Sequence, residues 1–209
     1  MIYHLVVFNY NLDMNGVIYE TGVLPRELVE DPSRKNELME YLKDPHFFVD
    51  LDCELLLFRN GYEDHLMEYL SHHALMERNQ WVLFESQNEK VLDFYIEHWV
   101  LASIYEKKLC TLEYRNKWLM KYLDYHNFAD SDNEILLFDE GMENFRSFYI
   151  SQTSFHSRKV ECKLFEPQFK ADLEAYINNR RMFYAEFVNE FIKVASPELV
   201  SRYNSYSKK

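Results

Sequence analysis

The chain repeats one of its own segments at a fixed offset, and this repetition restricts the fold more than any other feature of the sequence. Segment 53–72 returns as segment 133–152, so that Phe58 matches Phe138 80 residues later. Weaker copies lie between and beyond these two segments, at spacings of 26 to 28 residues. Internal periods of this size indicate stacked supersecondary units, each of which buries its apolar face against a neighbour.

Each unit contains a short apolar run, a polar break and a longer amphipathic stretch. In the longer stretch Leu66, Tyr69 and Leu70 lie at i, i+3 and i+4, the spacing of one helical face, which predicts an α-helix. The apolar run at 55–58 is richer in Leu than in β-branched residues, which favours a second, shorter helix. A short buried strand, giving strand-helix units, is the alternative interpretation.

This pattern resembles helical-repeat proteins, the α-solenoids of the ankyrin, tetratricopeptide and HEAT type, in architecture. The sequence motifs of the ankyrin and tetratricopeptide families are absent, so no binding residues can be transferred from them. The resemblance implies a scaffold that binds proteins over an extended surface and has no chemistry of its own. We therefore predict a mainly α fold, a solenoid of about six helix hairpins over residues 23–209, with a strand-helix repeat array as the alternative.

Residues 1–22 lie outside the repeat and predict a different element. Segments 2–10 and 17–20 are rich in Val, Ile, Tyr and Phe, and the pair Asn15-Gly16 between them is a turn signal. We predict a β-hairpin that caps the first helical unit. The exposed edge of such a hairpin offers a route to a homodimer.

Polar residues before the helices predict caps. Asn60 with Glu63, and Ser86 with Glu89, have the spacing of a capping box, which makes these glutamates structural. Asp130 precedes an apolar run and is predicted as an N-cap rather than as a cation ligand.

The formal charge of −12 is unevenly distributed. Residues 158–209 carry ten Lys or Arg against seven Asp or Glu, whereas residues 1–157 carry 13 against 28. An acidic body repels nucleic acid and steers basic partners toward it, so we expect a basic protein partner and no direct contact with nucleic acid. Arg180 and Arg181 mark a secondary basic end.

The predicted outer positions of the long helices are rich in carboxylates. If the apolar stripe faces inward, an acidic strip faces outward and forms the predicted partner-binding surface. Its residues are Asp64, Glu68, Asp93, Glu97 and Asp124. An ordinary solvated helix face is the alternative interpretation.

Three residues resemble the elements of a metal-dependent nuclease. Asp139 is followed by Glu161-x-Lys163, a pattern in which acids hold a divalent cation and lysine orients water. However, Glu161 occupies the repeat position of Glu54 and Glu134, so we interpret it as a structural residue.

Histidines and cysteines give no metal site. His72, His98 and His126 recur near the ends of the predicted long helices, where an imidazole favours the helix dipole. They lack carboxylate or Cys ligands at a regular spacing. The three cysteines are far apart and odd in number, which predicts buried free thiols.

We predict a protein without enzymatic activity, metal or cofactor. No stretch has the length of a membrane span or a signal peptide, so a soluble, cytoplasmic protein is expected. The acidic surface fits an inhibitor of a nucleic-acid-processing enzyme, such as a virus-encoded blocker of a host nuclease or defence complex. A neutral scaffold or adaptor is the first alternative, and the nuclease is the second.

Overall fold

The protein is mainly helical, as predicted. The computed structural model describes residues 10–12, 18–20, 22–44, 47–48, 51–86 and 88–206. Its contacts divide the chain into two compact units, Met1–Trp99 and Val100–Lys209.

The first unit combines short strands with helices. Strand β1 (Tyr10–Leu12) pairs antiparallel with β2 (Ile18–Glu20), and β3 (Gly22–Val23) pairs parallel with β4 (Phe47–Phe48). The helices are α1 (Arg26–Glu30), a 3₁₀ turn (Pro32–Arg34), α2 (Lys35–Leu42), α3 (Leu51–Leu56), α4 (Glu63–His72), a 3₁₀ turn (Glu77–Asn79), α5 (Trp81–Glu85) and α6 (Glu89–His98). The predicted hairpin cap falls mostly on residues outside the described ranges, 1–9 and 13–17, and stays a prediction.

The second unit is built from helical elements throughout its described residues. They are α7 (Ser103–Leu109), α8 (Leu112–Tyr114), a π-helical segment (Arg115–Leu119), α9 (Met120–Tyr125), a 3₁₀ helix (Ser131–Phe138), α10 (Glu143–Gln152), α11 (Arg158–Glu161), 3₁₀ turns (Cys162–Phe165, Pro167–Phe169), α12 (Lys170–Asn178), a 3₁₀ turn (Ala185–Phe187), α13 (Val188–Val194) and α14 (Pro197–Tyr206).

The first element of each repeat is helical, either α or 3₁₀. In one copy the Leu-rich run, residues 55–58, begins in α3 and ends just after it. In the copy 80 residues later, the run lies in the 3₁₀ helix before α10. Leu57 and Leu137, which match across the 80-residue offset, are both fully buried. The helix interpretation of this run is therefore correct, and the strand interpretation is wrong for these copies.

The predicted capping boxes are wrong in detail. Tyr62, not Asn60, is the N-cap of α4, and the Glu63 carboxylate accepts the N–H of Gly61 at 3.0 Å. Glycine is required at that position because its φ is +79°, a left-handed conformation that disfavours side chains. Asn88 caps α6 by accepting the N–H of Val91.

Within each unit the long helices pack against one another in sequence order. In the first unit α2 contacts α4 and α4 contacts α6; in the second, α9, α10, α12 and α14 form a similar succession. Each helix from α4 onward in this set contributes one buried tyrosine. These tyrosines, at intervals of 26 or 27 residues, are Tyr69, Tyr95, Tyr122, Tyr149, Tyr176 and Tyr203. The continuous array of about six repeats stays a prediction.

A buried glutamate links the two helices of the α3–α4 hairpin to the loop that follows. The Glu54 carboxylate accepts the hydroxyl of Tyr69 at 2.8 Å. It also accepts the N–H of Met76 at 3.1 Å and the side-chain amide of Asn79 at 2.6 Å. Burial raises the pKa of Glu54, and these three donors oppose the shift. Because a buried carboxylate is costly without donors, the loop after α4 is held in one position.

Glu106 makes the same set of bonds in the second unit. This side chain is fully buried in α7 and accepts the hydroxyl of Tyr122 at 2.8 Å. The N–H of Ala129 and the side-chain amide of Asn133 supply two further donors, the latter at 2.8 Å. The link thus joins a short helix, a long helix and the start of the next repeat.

Glu134 repeats the link one unit later. Its carboxylate accepts the hydroxyl of Tyr149 at 2.7 Å and the N–H groups of His156 and Ser157 at 2.9 Å. The His156 ring nitrogen Nδ1 lies 3.0 Å from the same carboxylate. Glu134 is fully buried, so these donors replace the water that an exposed carboxylate would bind.

The remaining two links are weaker. Glu161 is 1% exposed and accepts two donors, the hydroxyl of Tyr176 and the N–H of Tyr184, each at 3.0 Å. Burial raises the pKa of Glu161 to about 7, and the two donors offset only part of that shift. In the α5–α6 hairpin a neutral Gln80 takes the place of the glutamate, and its amide donates to the Tyr95 hydroxyl at 3.1 Å.

A buried ion pair joins α10 to α12. Arg146 Nε lies 3.0 Å from the Asp172 carboxylate, and Arg146 Nη1 donates to the Leu137 carbonyl at 2.8 Å. The guanidinium also lies over the rings of Phe138 and Phe169, with the carbon 5.4 and 4.9 Å from their centroids. Both charged side chains are nearly inaccessible to water, so each depends on the other for compensation.

The pKa of Glu161 predicts a pH-dependent stability. The Glu161 carboxyl has a pKa of about 7 in the folded state and the ordinary value of 4.5 in the unfolded state. The free energy of unfolding should therefore fall as the pH rises from about 4.5 to about 7. Glu161→Gln should remove this dependence and stabilise the protein above pH 7 by up to roughly 3 kcal/mol. Urea unfolding at several pH values measures both effects.

Glu134→Gln is the matched control for that experiment. This substitution replaces a carboxylate that accepts several hydrogen bonds with an amide that accepts fewer. It should lower the free energy of unfolding by about 1–3 kcal/mol, including at pH 8. Parallel pH profiles for the parent and Glu161→Gln would contradict the account of Glu161.

The buried ion pair predicts a non-additive mutant cycle. Arg146→Met leaves the Asp172 carboxylate buried without its cation and should lower the free energy of unfolding by about 3–5 kcal/mol. The double variant Arg146→Met/Asp172→Leu should recover much of that loss, because no uncompensated charge remains. Denaturant titration of the four proteins gives the coupling, and additive effects would show that the pair is not coupled.

Candidate functional site

The net charge of the protein lies in one structural unit. Residues 1–99 carry seven Lys or Arg against 19 Asp or Glu, a net charge of −12, whereas residues 100–209 carry 16 of each. Among the acids of the first unit whose exposure the structure describes, Glu54 alone is buried. The first unit therefore accounts for the whole net charge of the chain.

The predicted acidic strip divides between these units. Asp64 and Glu68 lie in α4, and Asp93 and Glu97 lie in α6, which packs against α4 in the first unit. Asp64 is exposed, and the other three are partly exposed. Asp124 is also exposed but lies in α9 of the second unit.

The four carboxylates of the first unit do not occupy one repeat position. Glu68 directly precedes the buried Tyr69, whereas Glu97 follows the buried Tyr95 by two residues. Glu68 lies 3.5 Å from the His72 imidazole. These acids therefore do not repeat as a single column along α4 and α6. We call Asp64, Glu68, Asp93 and Glu97 the acidic surface.

The two arginines of the predicted basic end have different environments. Arg181 donates to the carbonyls of Ile150 and Ser151 at 3.3 and 2.7 Å, and so caps the end of α10. Arg180 is exposed, and its guanidinium lies 5.7 Å from the centroid of the Tyr206 ring. The side chain of Arg181 thus has a structural role, whereas that of Arg180 is exposed to solvent.

The three residues of the nuclease alternative have separate partners. Glu161 is buried and hydrogen-bonded as described above, and Lys163 pairs with Glu166 at 2.8 Å. Asp139 is exposed at the end of the 3₁₀ helix before α10. Across the described residues, no group of three His, Cys, Asp or Glu side chains is placed to hold a metal ion.

The recurring histidines lie at the C-terminal ends of the long helices, as predicted. His72 and His98 are the last residues of α4 and α6, and His126 is the C-cap of α9. His98 Nδ1 lies 2.8 Å from the carbonyl of Phe94, one turn earlier. These positions agree with a role at helix ends.

The prediction of three buried thiols is only partly correct. Cys53 is buried, but Cys110 and Cys162 are partly exposed. Burial raises the pKa of Cys110 to about 12, and the nearby Glu106 charge adds to the shift. A thiol with so high a pKa is a poor nucleophile at neutral pH.

Sequence reasoning did not single out two exposed apolar side chains of the second unit. Ile104 on α7 is 65% exposed, and Leu112 on α8 is 72% exposed. No pattern in the sequence marks these two residues, because their exposure depends on packing and could be seen only in the structure.

No helix in the described part of the chain is both long and apolar enough to cross a membrane. No family model, curated protein or solved structure matches the chain. What the fold defines is a mainly α protein whose long helices stack within each of two units, with the net negative charge in the first.

The backbone at Arg180 predicts a stabilising substitution. Arg180 has φ +60°, and the N–H of Arg181 bonds to the carbonyl of Tyr176, an arrangement of a helix end in which glycine is preferred. Arg180→Gly should raise the free energy of unfolding by about 1 kcal/mol. Arg181→Ala is the control and should lower it, since two carbonyls lose their donors. Thermal unfolding compares the three proteins, and a destabilised Arg180→Gly would refute the prediction.

Proposed function

We propose that this protein is a non-enzymatic, protein-binding repeat protein that docks its acidic first unit on a basic partner. The partner class that fits best is an enzyme that binds nucleic acid through a cationic channel. The protein would then act as an inhibitor, such as a virus-encoded blocker of a host nuclease or defence complex.

One observation supports this proposal above the others, namely the net charge of −12 on residues 1–99 beside a net charge of zero on residues 100–209. If acidity served solubility alone, the net negative charge would have no reason to lie in one unit. A concentrated negative field accelerates encounter with a cationic surface and repels nucleic acid.

The long helices supply a rigid base for these carboxylates. In the first unit, α4 and α6 are held by the buried tyrosines Tyr69 and Tyr95 and by the Glu54 link. Carboxylates on packed helices lose little conformational freedom on binding, so they can occupy the phosphate positions of a cationic channel at low entropic cost. The stacking inside each unit supports the helical-repeat, solenoid class, which commonly serves protein recognition.

Charge reversal tests the proposal. Replacement of Asp64, Glu68, Asp93 and Glu97 by Lys should abolish capture of basic nucleic-acid-binding enzymes from the native cell and inhibition of the enzyme captured. Because exposed charges are screened by salt, binding by the parent should weaken at least tenfold between 50 and 500 mM NaCl, taken here as an order-of-magnitude estimate. Binding is measured by calorimetry with the captured enzyme.

The control variant reverses four exposed acids of the second unit. These are Glu113, Glu140, Glu174 and Glu198. It changes the total charge equally, so binding close to that of the parent would assign the effect to the first unit. Equal loss in both variants would refute a specific acidic docking surface.

The alternatives predict other results. A neutral scaffold or adaptor would bind with an affinity that barely responds to salt. A nuclease would cleave nucleic acid in a way that depends on Lys163, which could be removed by Lys163→Ala without disturbing the buried Glu161.

A further inference from the structure

We propose that Asn60 is a site of spontaneous chemical modification, at which the side-chain amide becomes a carboxylate through a cyclic imide formed with Gly61. The modification adds a negative charge to the turn before α4, and one of its two products also adds a methylene to the backbone. Glu63 sets the rate. This chemistry does not depend on the proposed function.

The sequence supplies a reactive pair of residues. Asn60-Gly61 is one of two Asn-Gly pairs in the chain, and the other, Asn15-Gly16, lies outside the described residues. Asparagine is thermally labile, and its side-chain carbonyl carbon can be attacked by the backbone nitrogen of the next residue. Glycine obstructs that attack least, because it has no side chain.

The structure leaves this asparagine accessible. Asn60 lies in the turn between α3 and α4, and its side chain is exposed. That side chain makes no hydrogen bond to any residue that the structure describes. By contrast, Asn79 and Asn133 are buried, donate to glutamates, and are not followed by glycine. Reaction is therefore expected at Asn60 and not at these two buried amides.

The reaction needs water as its co-reactant. The Gly61 nitrogen loses its proton to hydroxide and forms a bond to Cγ of Asn60, and the amide nitrogen takes up a proton from water and leaves as ammonia. A water molecule then opens the cyclic imide at one of its two carbonyl carbons. Opening at Cγ gives aspartate. Opening at the backbone carbonyl carbon gives isoaspartate, in which the main chain runs through the former side chain.

The Glu63 carboxylate opposes the first step. It accepts the N–H of Gly61 at 3.0 Å, so this hydrogen bond must break before the Gly61 nitrogen can lose its proton. Breaking one hydrogen bond to a charged group slows a reaction about tenfold. The reaction is therefore slower in the folded protein than in the unfolded chain, but it is not prevented, because Asn60 and Glu63 are both exposed.

The matching turn of the second unit supplies a natural control. Gly141 has φ +76°, close to the +79° of Gly61, and its N–H also donates to the glutamate two residues later. Glu140 occupies the position of Asn60 in this turn. A glutamate has no amide nitrogen to lose as ammonia, so this turn is not reactive. Asn60→Glu is therefore a substitution that the same turn already accepts elsewhere in the chain.

Lys35 makes the turn sensitive to which product forms. Its ammonium donates to the Gly61 carbonyl and lies 4.3 Å from the centroid of the Tyr62 ring, which links the start of α2 to the start of α4. Isoaspartate lengthens the backbone by one methylene, about 1.5 Å, and so displaces Gly61 from Lys35 and Glu63. Aspartate keeps the normal backbone and changes only the charge.

Peptide mapping by mass spectrometry tests the proposal on the full-length protein. In mildly alkaline buffer at body temperature, aspartate and isoaspartate should accumulate at residue 60 about tenfold more slowly than in the same protein unfolded in urea. Glu63→Ala should bring the folded rate close to the unfolded rate, and Asn60→Glu should show no conversion at this residue. Circular dichroism confirms that both variants are folded.

Two results would overturn the proposal. One is an unmodified Asn60 in the folded protein at the time when the chain in urea has converted completely. The other is a folded rate that Glu63→Ala leaves unchanged.

Thermal unfolding measures the structural consequence. The modified fraction, isolated by anion exchange, should have a Tm lower than that of Asn60→Asp by about 2–4 °C, because its isoaspartate removes hydrogen bonds of the turn. The Asn60→Asp variant has the same charge and a normal backbone, so it is the matched control. Equal Tm values for the two proteins would refute the displacement of Gly61.

Discussion

The buried glutamate that recurs in four of the hairpins is the interaction on which the rest of the fold depends. Glu54, Glu106 and Glu134 each accept a tyrosine hydroxyl from the long helix of the same hairpin and backbone or side-chain N–H groups from the start of the next repeat. Desolvation would penalise such a charge heavily, so the donors must be present together. One residue therefore fixes the hairpin, the loop after it and the position of the following helix.

The number of donors to the buried glutamate differs between hairpins. Glu161 has two donors where Glu134 has several, and burial raises the pKa of Glu161 to about 7. The aromatic rings that follow compensate in part: Tyr176, Phe183 and Tyr203 form a stacked series with centroids 5.2 and 5.7 Å apart. The last hairpins are held more by apolar contacts than by polar links, and such contacts do not depend on pH.

The structure agrees with the predictions that rest on a repeated pattern, and it differs where the conformation of one residue sets a helix boundary. The 3.6-residue spacing in each copy was enough to predict the long helices. The interpretation of Glu161 as a structural residue of the repeat agrees with its buried hydrogen bond from Tyr176. The predicted cap at Asp130 is confirmed, since its carboxylate accepts the N–H of Asp132. The cap of α4 was mispredicted at Asn60, because Gly61 adopts a left-handed conformation and the helix starts after Tyr62. Spacing rules do not detect such a turn.

The sequence by itself determined the mainly helical class, the period of the repeat, the buried face of each long helix and the acidity of the protein. These follow from local periodicity and composition, which need no knowledge of distant contacts. Only the tertiary structure decided that the net negative charge lies in one of two units, that Arg181 donates to the carbonyls at a helix end, and that Ile104 and Leu112 are exposed. The physical reason is that burial depends on three-dimensional packing. A glutamate can be buried only where the fold places hydrogen-bond donors around its carboxylate, and otherwise it remains a surface charge.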